Sequence, residues 1–463
     1  MSEYKDNEAR PAKPLEQEKL YVFDLKFNMD YSKAKYKLSQ YNVFHQDGDV
    51  QYLWNTYSDA LVKLDKNGQE YIQSFQGIED KSYEFNLLKS NGFIVYEGLS
   101  EFGRICIEEK QAYFTDKPDE INIVIIPGMR CNCKCRYCFQ NTLATNQTGI
   151  MTPEIATKTA EYICEQLRNN RNAKKLDIVW FGGEPLLYLD TMEIITHKLL
   201  EYTNKNNIEY TAGIATNGLL LNENNLKKLQ ELHVNLIQIS IDGMRDLNSI
   251  SKGVSPEQFD RVIDNACRAI EKIKLFFRFN IPNNDVNEAI TLVDYLFIQR
   301  NLLGKVYIQF AYLCDYTLSY EDSREGYINY MHNYFKWVDY LFERYNLRLS
   351  YTERSKRCFA VSVSRQCIGP HGELYTFLRD VGNNKKEIGN IWHGRFFNNA
   401  ETMYYSTTDL PSHRKCFNCE YLPVCMGESI RDCITKIVKH DCNLNNKLML
   451  KLKLLQAGIL LNN

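Results

Sequence analysis

Between Pro127 and Asn141 the chain reads PGMRCNCKCRYCFQN, which puts Cys131, Cys133, Cys135 and Cys138 on one short stretch. Thiols at such gaps can bind zinc, hold an iron–sulfur cluster or pair as disulfides. Disulfides need an oxidising compartment. The polar opening, MSEYKDNEARPAKPLEQEKL, has no secretory h-region, so a reducing cytoplasm is expected. Structural zinc usually takes two C-x2–4-C knuckles separated by a spacer. Here Cys131, Cys135 and Cys138 stand in C-x3-C-x2-C spacing with Cys133 between two of them. One short loop cannot easily wrap four adjacent thiolates round a single ion. Three ligands on one loop suit a cubane cluster, leaving one iron without a protein ligand, and an open position marks a catalytic metal site. A second group, CFNCEYLPVC, gives Cys416, Cys419 and Cys425, followed by Cys433 and Cys442. Tetrathiolate sites suit zinc and iron–sulfur alike, so a zinc ribbon stays open there. Of the fifteen cysteines, the isolated Cys106, Cys164 and Cys267 fit buried structural thiols.

Positioning such a loop requires a scaffold. From Ile121 short apolar runs alternate with helical segments: INIVIIP, KLDIVWF, YTAGIAT, VNLIQISI, KLFFRFNI and KVYIQFAYL. Strands alternating with helices predict parallel βα units. Six strands fall two short of an eight-stranded barrel, and chemistry collects at the C-terminal strand ends, where the cysteine loop lies. Thr152 and Pro153 predict the N-cap and first position of a helix. Ahead of this, residues 18–115 predict an α+β unit with a hairpin at Asp47-Gly48 and no catalytic constellation. The expected order is a flexible tail (1–17), the α+β unit (18–115), the core (116–315), a helical bridge (316–357), a cysteine-rich unit (358–445) and a docked terminal helix (446–463). At 463 residues two or three domains are expected, and 44% apolar with 25% charged residues is ordinary for a soluble protein. A net charge of −2 offers no global field for nucleic acid, and no run is long enough for a membrane span.

The loop resembles the radical S-adenosylmethionine (SAM) signature, in which an aromatic residue, here Tyr137, precedes the third cysteine. Cys133 falls where the family has an aliphatic residue and is taken as a spectator. WFGGEPLL follows the second strand, ATNGLLL the third, and QISIDG forms the fourth, an order similar to radical SAM enzymes with a C-terminal SPASM extension. The resemblance implies an α/β fold: a partial (β/α)6 TIM-like barrel, an N-terminal leader-binding-like unit and a SPASM unit. It implies a 4Fe–4S cluster on Cys131, Cys135 and Cys138 whose open iron takes the amino and carboxylate groups of SAM. The reduced cluster then cleaves SAM to a 5′-deoxyadenosyl radical, with the protein orienting the cofactors. Gly182 and Gly183 would let backbone approach the ligand, and Glu184 would accept from its ammonium. Tyr137, Gly183 and Ser240 match SAM-contacting positions, with Asp242 close by and Leu313 as an apolar contact. Where the family often has an arginine for the SAM carboxylate, DGMRDLNSISKG offers Asn248, Ser249 and Lys252. Lysine supplies a point charge without the bidentate fork.

For the second cysteine group the resemblance implies an auxiliary 4Fe–4S cluster on Cys416, Cys419, Cys425 and Cys442, with Cys433 crossing to a first auxiliary cluster. That first cluster begins at Cys358, but Phe377 stands where the family places a cysteine. A Pro-His-Gly turn would bring Cys367 near Phe377 across a hairpin, about 5 Å away. Cys367 then replaces the missing ligand, or an iron stays open to a substrate thiolate, or the cluster is absent. SPASM enzymes mostly modify peptides and proteins, which implies a precursor peptide added as an extra strand on the N-terminal unit. A flavodoxin- or ferredoxin-like electron donor is also implied. The expected product is a thioether, C–C or C–O crosslink, or an epimerised residue, for which Cys314 could donate a hydrogen atom unless it is a core thiol. One alternative is an anaerobic sulfatase maturase making formylglycine, although its aspartate position holds Leu378, with Asp380 two places on. An alternative of another class, a zinc-binding adaptor, leaves the ordered GGE, TNG and SIDG motifs without a role.

Overall fold

Period-two and helical patterns along the chain become two units joined by the C-terminal segments. The computed structural model describes residues 35–80, 82–114, 119–138, 140, 149–313, 320–349, 365–395, 416–425 and 442–459. The N-terminal unit runs β1 (Tyr36–Leu38), β2 (Asn42–Asp47), β3 (Val50–Asn55), β4 (Leu61–Leu64), α1 (Lys66–Ser74), α2 (Tyr83–Ser90), β5 (Ile94–Tyr96) and α3 (Glu101–Phe114). β2, β3 and β4 form an antiparallel meander, and β1 pairs with β5. The expected hairpin turns between the paired Asp47 and Val50, with Gly48 taking the left-handed φ of 56°. Leu53, Phe85 and Phe93 are wholly buried at the centre of this unit.

The core alternates strand and helix as its apolar runs predict. In order come β6 (Glu120–Ile125), α4 (Pro153–Asn169), β7 (Lys175–Trp180), α5 (Leu189–Lys205), β8 (Glu209–Thr216), α6 (Glu223–Glu231) and β9 (Val234–Ile241). Then follow α7 (Arg245–Lys252), α8 (Pro256–Ala269), β10 (Lys274–Phe279), α9 (Val286–Asp294), β11 (Tyr307–Phe310) and α10 (Tyr320–Tyr345). β6 to β11 lie side by side in sequence order, every neighbour parallel, so their C-terminal ends share one rim. Thr152 caps α4 by accepting from the Ile155 amide (3.3 Å), and Pro153 opens the helix, as expected.

Residues 365–395 extend this sheet. β12 (Arg365–Ile368) lies parallel beside β6, and β13 (Glu373–Tyr375), β14 (Gly389–Asn390) and β15 (Gly394–Arg395) follow antiparallel. Here the register differs from expectation: Cys367 faces Tyr375, and Phe377 lies two residues beyond it. The terminal helix Cys442–Gln456 docks, as expected, on its own protein. Leu452 and Leu455 pack into the core, while Met449 and Leu454 meet Val43, Trp54 and Leu61 of the N-terminal unit. Lys451 pairs with Asp339 and Lys453 with Asp59, so the helix is tied to both units. Among the described residues no helix is long and apolar enough to cross a membrane.

Candidate functional site

The cysteine loop leaves β6 at the shared rim and is gripped at both ends by backbone. On the first side, the Gly183 amide donates to the Gly128 carbonyl (3.1 Å) and the Glu184 amide to the Arg130 carbonyl (2.9 Å). A Cβ on Gly183 would sit 2.1 Å from the Arg130 oxygen, and one on Gly182, at φ 137°, would sit 2.5 Å from the Gly128 oxygen. These glycines bring the turn against the backbone of the cysteine loop. Tyr188, in the turn after Glu184, accepts from the Arg130 amide through its hydroxyl (2.8 Å), and its ring fills the space a Cβ on Gly128 would need. On the second side, the Lys134 amide donates to the Lys252 carbonyl (2.8 Å) and the Arg136 amide to that of Ser251 (3.1 Å). These carbonyls are free because α7 ends there, at Gly253 in the left-handed conformation (φ 62°).

Glu184 is fully enclosed. Its carboxylate accepts from the Leu186 amide (3.1 Å), the Thr216 hydroxyl (2.7 Å) and the Asn217 amide (2.8 Å). Burial pushes its pKa up to about 7 against the pull of those bonds. Glu184, the residue expected to meet an ammonium, braces the end of β7 against the end of β8. Asn217, held by that brace, donates to Asn132 Oδ1 (2.6 Å) and lies 3.8 Å from Cys131 Sγ. The Cys131 thiol is lowered to about 6, first by hydrogen bonding from Cys133 and further by Asn217 and Lys252. Cys133, expected to be a bystander, thus supports the first thiolate through its side chain and its amide (3.4 Å). Burial pushes Cys135 up to about 11.

The third wall is polar and buried. Asp242 accepts from the Tyr137 hydroxyl (2.8 Å) and the Ser251 hydroxyl (2.6 Å), and its amide donates to Asn248 Oδ1 (3.0 Å). Lys252 Nζ lies 3.4 Å from Asp242 Oδ1 and donates to Ser240 Oγ (2.8 Å). Burial works against the Lys252 charge, but Asp242 and the nearby Tyr137 and Cys135 outweigh it and raise its pKa. Between this wall and the loop lies a small cleft, lined by Cys133, Asn217, Ser240, Asn248, Lys252 and Gln258 and by the apolar Leu219, Ile241, Val254, Phe259 and Val262.

Sequence reading singled out Tyr137, Gly182, Gly183, Glu184, Ser240, Asp242 and Lys252, and all seven converge here. Tyr188 and Ser251 carry no motif; their signal is position, in the turn after a strand end or the last turn of a rim helix. Leu313 lies half-buried past β11, its amide donating to Asn284 Oδ1 (3.0 Å). Cys367 is wholly buried among Ile126, Tyr375 and Val381. Cys416, Cys419 and Cys425 pack against the N-terminal unit. Cys314, Cys358 and Cys433 lie outside the described residues, as does the side chain of Cys442. Among the described residues no three His, Cys, Asp or Glu side chains are gathered closely enough to hold one ion. A loop of three thiols, one already biased to thiolate and pinned at both ends, suits the larger footprint of an iron–sulfur cluster.

Comparison with known proteins bears on this geometry. The profile of the radical SAM superfamily matches residues 125–296. The radical SAM cyclopropyl synthase TigE of Paramaledivibacter caminithermalis is 26% identical over 228 residues, covering 43% of this chain and 48% of TigE. The chain thus spans about half the length of that relative. A cysteine-type anaerobic sulfatase-maturating enzyme of Clostridium perfringens is 23% identical over 345 residues, covering 66% of this chain and 88% of the relative. The solved structure of anSMEcpe with bound AdoMet and Kp18Cys peptide superposes with a TM-score of 0.56 at 19% identity, over 73% of this chain and all of that one. The α/β architecture is shared with that structure. The chain therefore carries a radical SAM domain, spanning residues 125–296.

Proposed function

We propose that this protein reductively cleaves SAM and uses the resulting radical to modify a ribosomally made peptide or protein. The observation that carries the reading is the cysteine loop clamped between the GGE turn and the end of α7, with a small cleft beside it walled by both polar and apolar side chains. Cys131, Cys135 and Cys138 would hold the 4Fe–4S cluster at the mouth of a partial (β/α)6 barrel. With SAM bound, that cluster supplies a 5′-deoxyadenosyl radical. The protein's own part is placement. Gly182, Gly183 and Tyr188 fix where the loop leaves β6, and Glu184 fixes Asn217 beside Cys131. Ser240 and Lys252 present a hydroxyl and a cation to the cleft, suited to the carboxylate of SAM. Leu313 would close the far side with apolar surface.

The peptide class draws support from the sulfatase-maturating relative and from the solved neighbour with a bound peptide. The β2–β3–β4 meander offers edges for an added peptide strand. One or two auxiliary clusters on the Cys358–Cys442 segment and a flavodoxin- or ferredoxin-like donor complete the expected assembly. A crosslink or an epimerisation is the favoured product. Sulfatase maturation is the second reading, favoured by the 88% of that relative that the chain covers. The test is anaerobic loading with iron and sulfide, followed by a low-potential reductant and SAM. Formation of 5′-deoxyadenosine, lost when Cys131, Cys135 and Cys138 become alanine, is expected. No 5′-deoxyadenosine, with zinc bound instead, would favour the non-enzymatic adaptor. Conversion of a Cys- or Ser-containing sulfatase peptide to formylglycine would select the second reading.

A further inference from the structure

Alternation along the six core strands separates two faces of the sheet. One face is closed: Ile178, Ile239, Phe277 and Phe310 are wholly buried in the core shared with the helices. The positions between them turn to the concave face, because successive side chains of a strand point to opposite sides. On β6 to β8 that face carries Val124, Val179, Gly213 and Ala215, all half-buried. On β9 to β11 it turns polar, with half-buried Gln238, Ser240 and Arg278 and exposed Gln309. A closed eight-stranded barrel fills its interior with packed layers of side chains. These six strands leave theirs as a trough, apolar along one wall and hydrogen-bonding along the other.

The charges on this face are layered. Lys175, which pairs with Glu120 (3.0 Å), and Lys274 open their strands, at the end far from the rim. Asp177 lies in the N-terminal half of β7 and accepts from the Thr211 hydroxyl (2.5 Å). Arg278 alone of these is at the rim end, the last residue but one of β10. Its register neighbours are Ser240 on β9 and Gln309 on β11, each about 5 Å away along the sheet. Arg278 Nε donates to Asn280 Oδ1 (3.2 Å) and Nη1 to Gln309 Oε1 (3.1 Å). Both acceptors are neutral amides, which fix the plane of the guanidinium fork without adding a charge of their own. Asn280 donates in turn to the Tyr137 hydroxyl (3.4 Å), so the fork is referenced to the cysteine loop.

We propose that Arg278 binds the side-chain carboxylate of an aspartate or glutamate in the substrate, and so sets which part of the substrate chain lies in the trough. A planar fork held on two sides matches a carboxylate in geometry as well as charge. One rung further from the rim, the paired Phe276 and Tyr307 offer aromatic surface to the same chain. The small side chains of the facing wall leave room for a backbone between them. Tyr307 is 61% exposed and Gln309 is exposed, so the trough is open along β11 as well as at the rim. A chain can therefore pass through, which favours an internal acidic residue over a terminal carboxylate. Ser240, one strand away, faces the proposed SAM position, so an acid anchored on Arg278 holds the substrate beside it. This inference deepens the proposed function: it rests on a peptide or protein substrate but not on the cleavage of SAM.

The test uses the full-length chain, loaded anaerobically with iron and sulfide and supplied with SAM. It is titrated with C-terminally amidated peptide pools that carry a neutral fluorophore and differ only at one fixed central position, Asp, Asn or Lys. Fluorescence anisotropy reads binding. The Asp pool should bind roughly tenfold to a hundredfold more tightly than the Asn pool, the range for a hydrogen bond to a charged group. Arg278→Gln should erase that difference. Arg278→Glu should reverse it in favour of the Lys pool, a gain that a misfolded protein could not produce. Pools that bind alike or not at all, or an Asp preference that survives Arg278→Gln, overturn the proposal. So does an Asn pool with a free C-terminal carboxylate that outcompetes the amidated Asp pool. Weakened SAM binding in Arg278→Gln, read from the SAM-dependent EPR change, with the Asp preference intact would assign the cation to SAM and overturn it too. An Asp preference that follows residue 278 while no 5′-deoxyadenosine forms sinks the radical SAM reading and leaves this one standing. 5′-Deoxyadenosine with no preference among the pools does the opposite.

Discussion

Gly183→Ala tests whether the GGE turn exists to seat the cysteine loop. The added Cβ would lie 2.1 Å from the Arg130 oxygen, 2.4 Å from its carbonyl carbon and 2.5 Å from the Met129 oxygen, all backbone atoms that cannot swing aside. Ordinary contact begins near 3.4 Å, so loop and turn must separate by about 1.3 Å. That breaks the bonds from Gly183 to Gly128 and from Glu184 to Arg130, each contributing about 1 kcal/mol net. With overpacking of about 1–3 kcal/mol, the total is about 3–5 kcal/mol. At about 1.4 kcal/mol per tenfold, the cluster-ready loop becomes roughly a thousandfold rarer. Gly213→Ala is the control, since its nearest neighbour, the Leu236 oxygen, stands at 3.6 Å and a strand gains from losing a glycine. Anaerobic loading, iron stoichiometry and 5′-deoxyadenosine formation are the assays. Gly213→Ala should match the parent, and Gly183→Ala should lose loop iron and SAM cleavage together. A Gly183→Ala protein with full loop iron and a normal cleavage rate refutes the reasoning.

Lys252→Met strands the buried Asp242 carboxylate, costing about 3–5 kcal/mol, and adding Asp242→Asn should recover much of it; additive losses in a urea double-mutant cycle would argue against the pair. In cluster-free protein Cys131 should react with iodoacetamide half-maximally near pH 6, well ahead of Cys135. Cys133→Ala should move that midpoint upward, and an unmoved midpoint would contradict the assigned cause. Glu184 has its pKa raised from 4.5 to about 7, so the folded chain keeps a proton that the unfolded chain releases. Its contribution is fully present below pH 4.5 and is lost as pH rises through about 7, by roughly 3 kcal/mol at 1.36 kcal/mol per unit. Glu184→Gln should flatten that slope in denaturation of cluster-free protein, and an equal slope would refute it.

What the sequence made legible was local. The six apolar runs became β6 to β11 because buried parallel strands leave continuous apolar patterns. Thr152 and Pro153 opened α4 because capping is decided within four residues. The site motifs were legible because each sits where a strand ends. What stayed hidden was long-range or depended on a single residue of register. The hairpin after Cys367 turns about His371, one residue earlier than a turn about Gly372, and that step moves the partner of Cys367 from Phe377 to Tyr375. The pairing of the four-residue β12 with β6 has no signature in RQCI. Nor could spacing reveal that Gly183 faces the cysteine loop.

The lysine that replaces the expected arginine then has a physical rationale. Lys252 sits inside the protein, where Asp242 and Ser240 occupy two sides of its ammonium and the cysteine loop a third. A planar guanidinium would have to satisfy five donors in a fixed fork, whereas an ammonium presents three rotatable ones. Asp242 and Ser240 engage two of them. The same residue lends its carbonyl to Lys134 of the loop. A shift of α7 would therefore move both the charge beside the cleft and the backbone that seats Cys135. One helix end therefore sets both the seat of the loop and the position of the buried charge, which three cysteines on a free loop could not do.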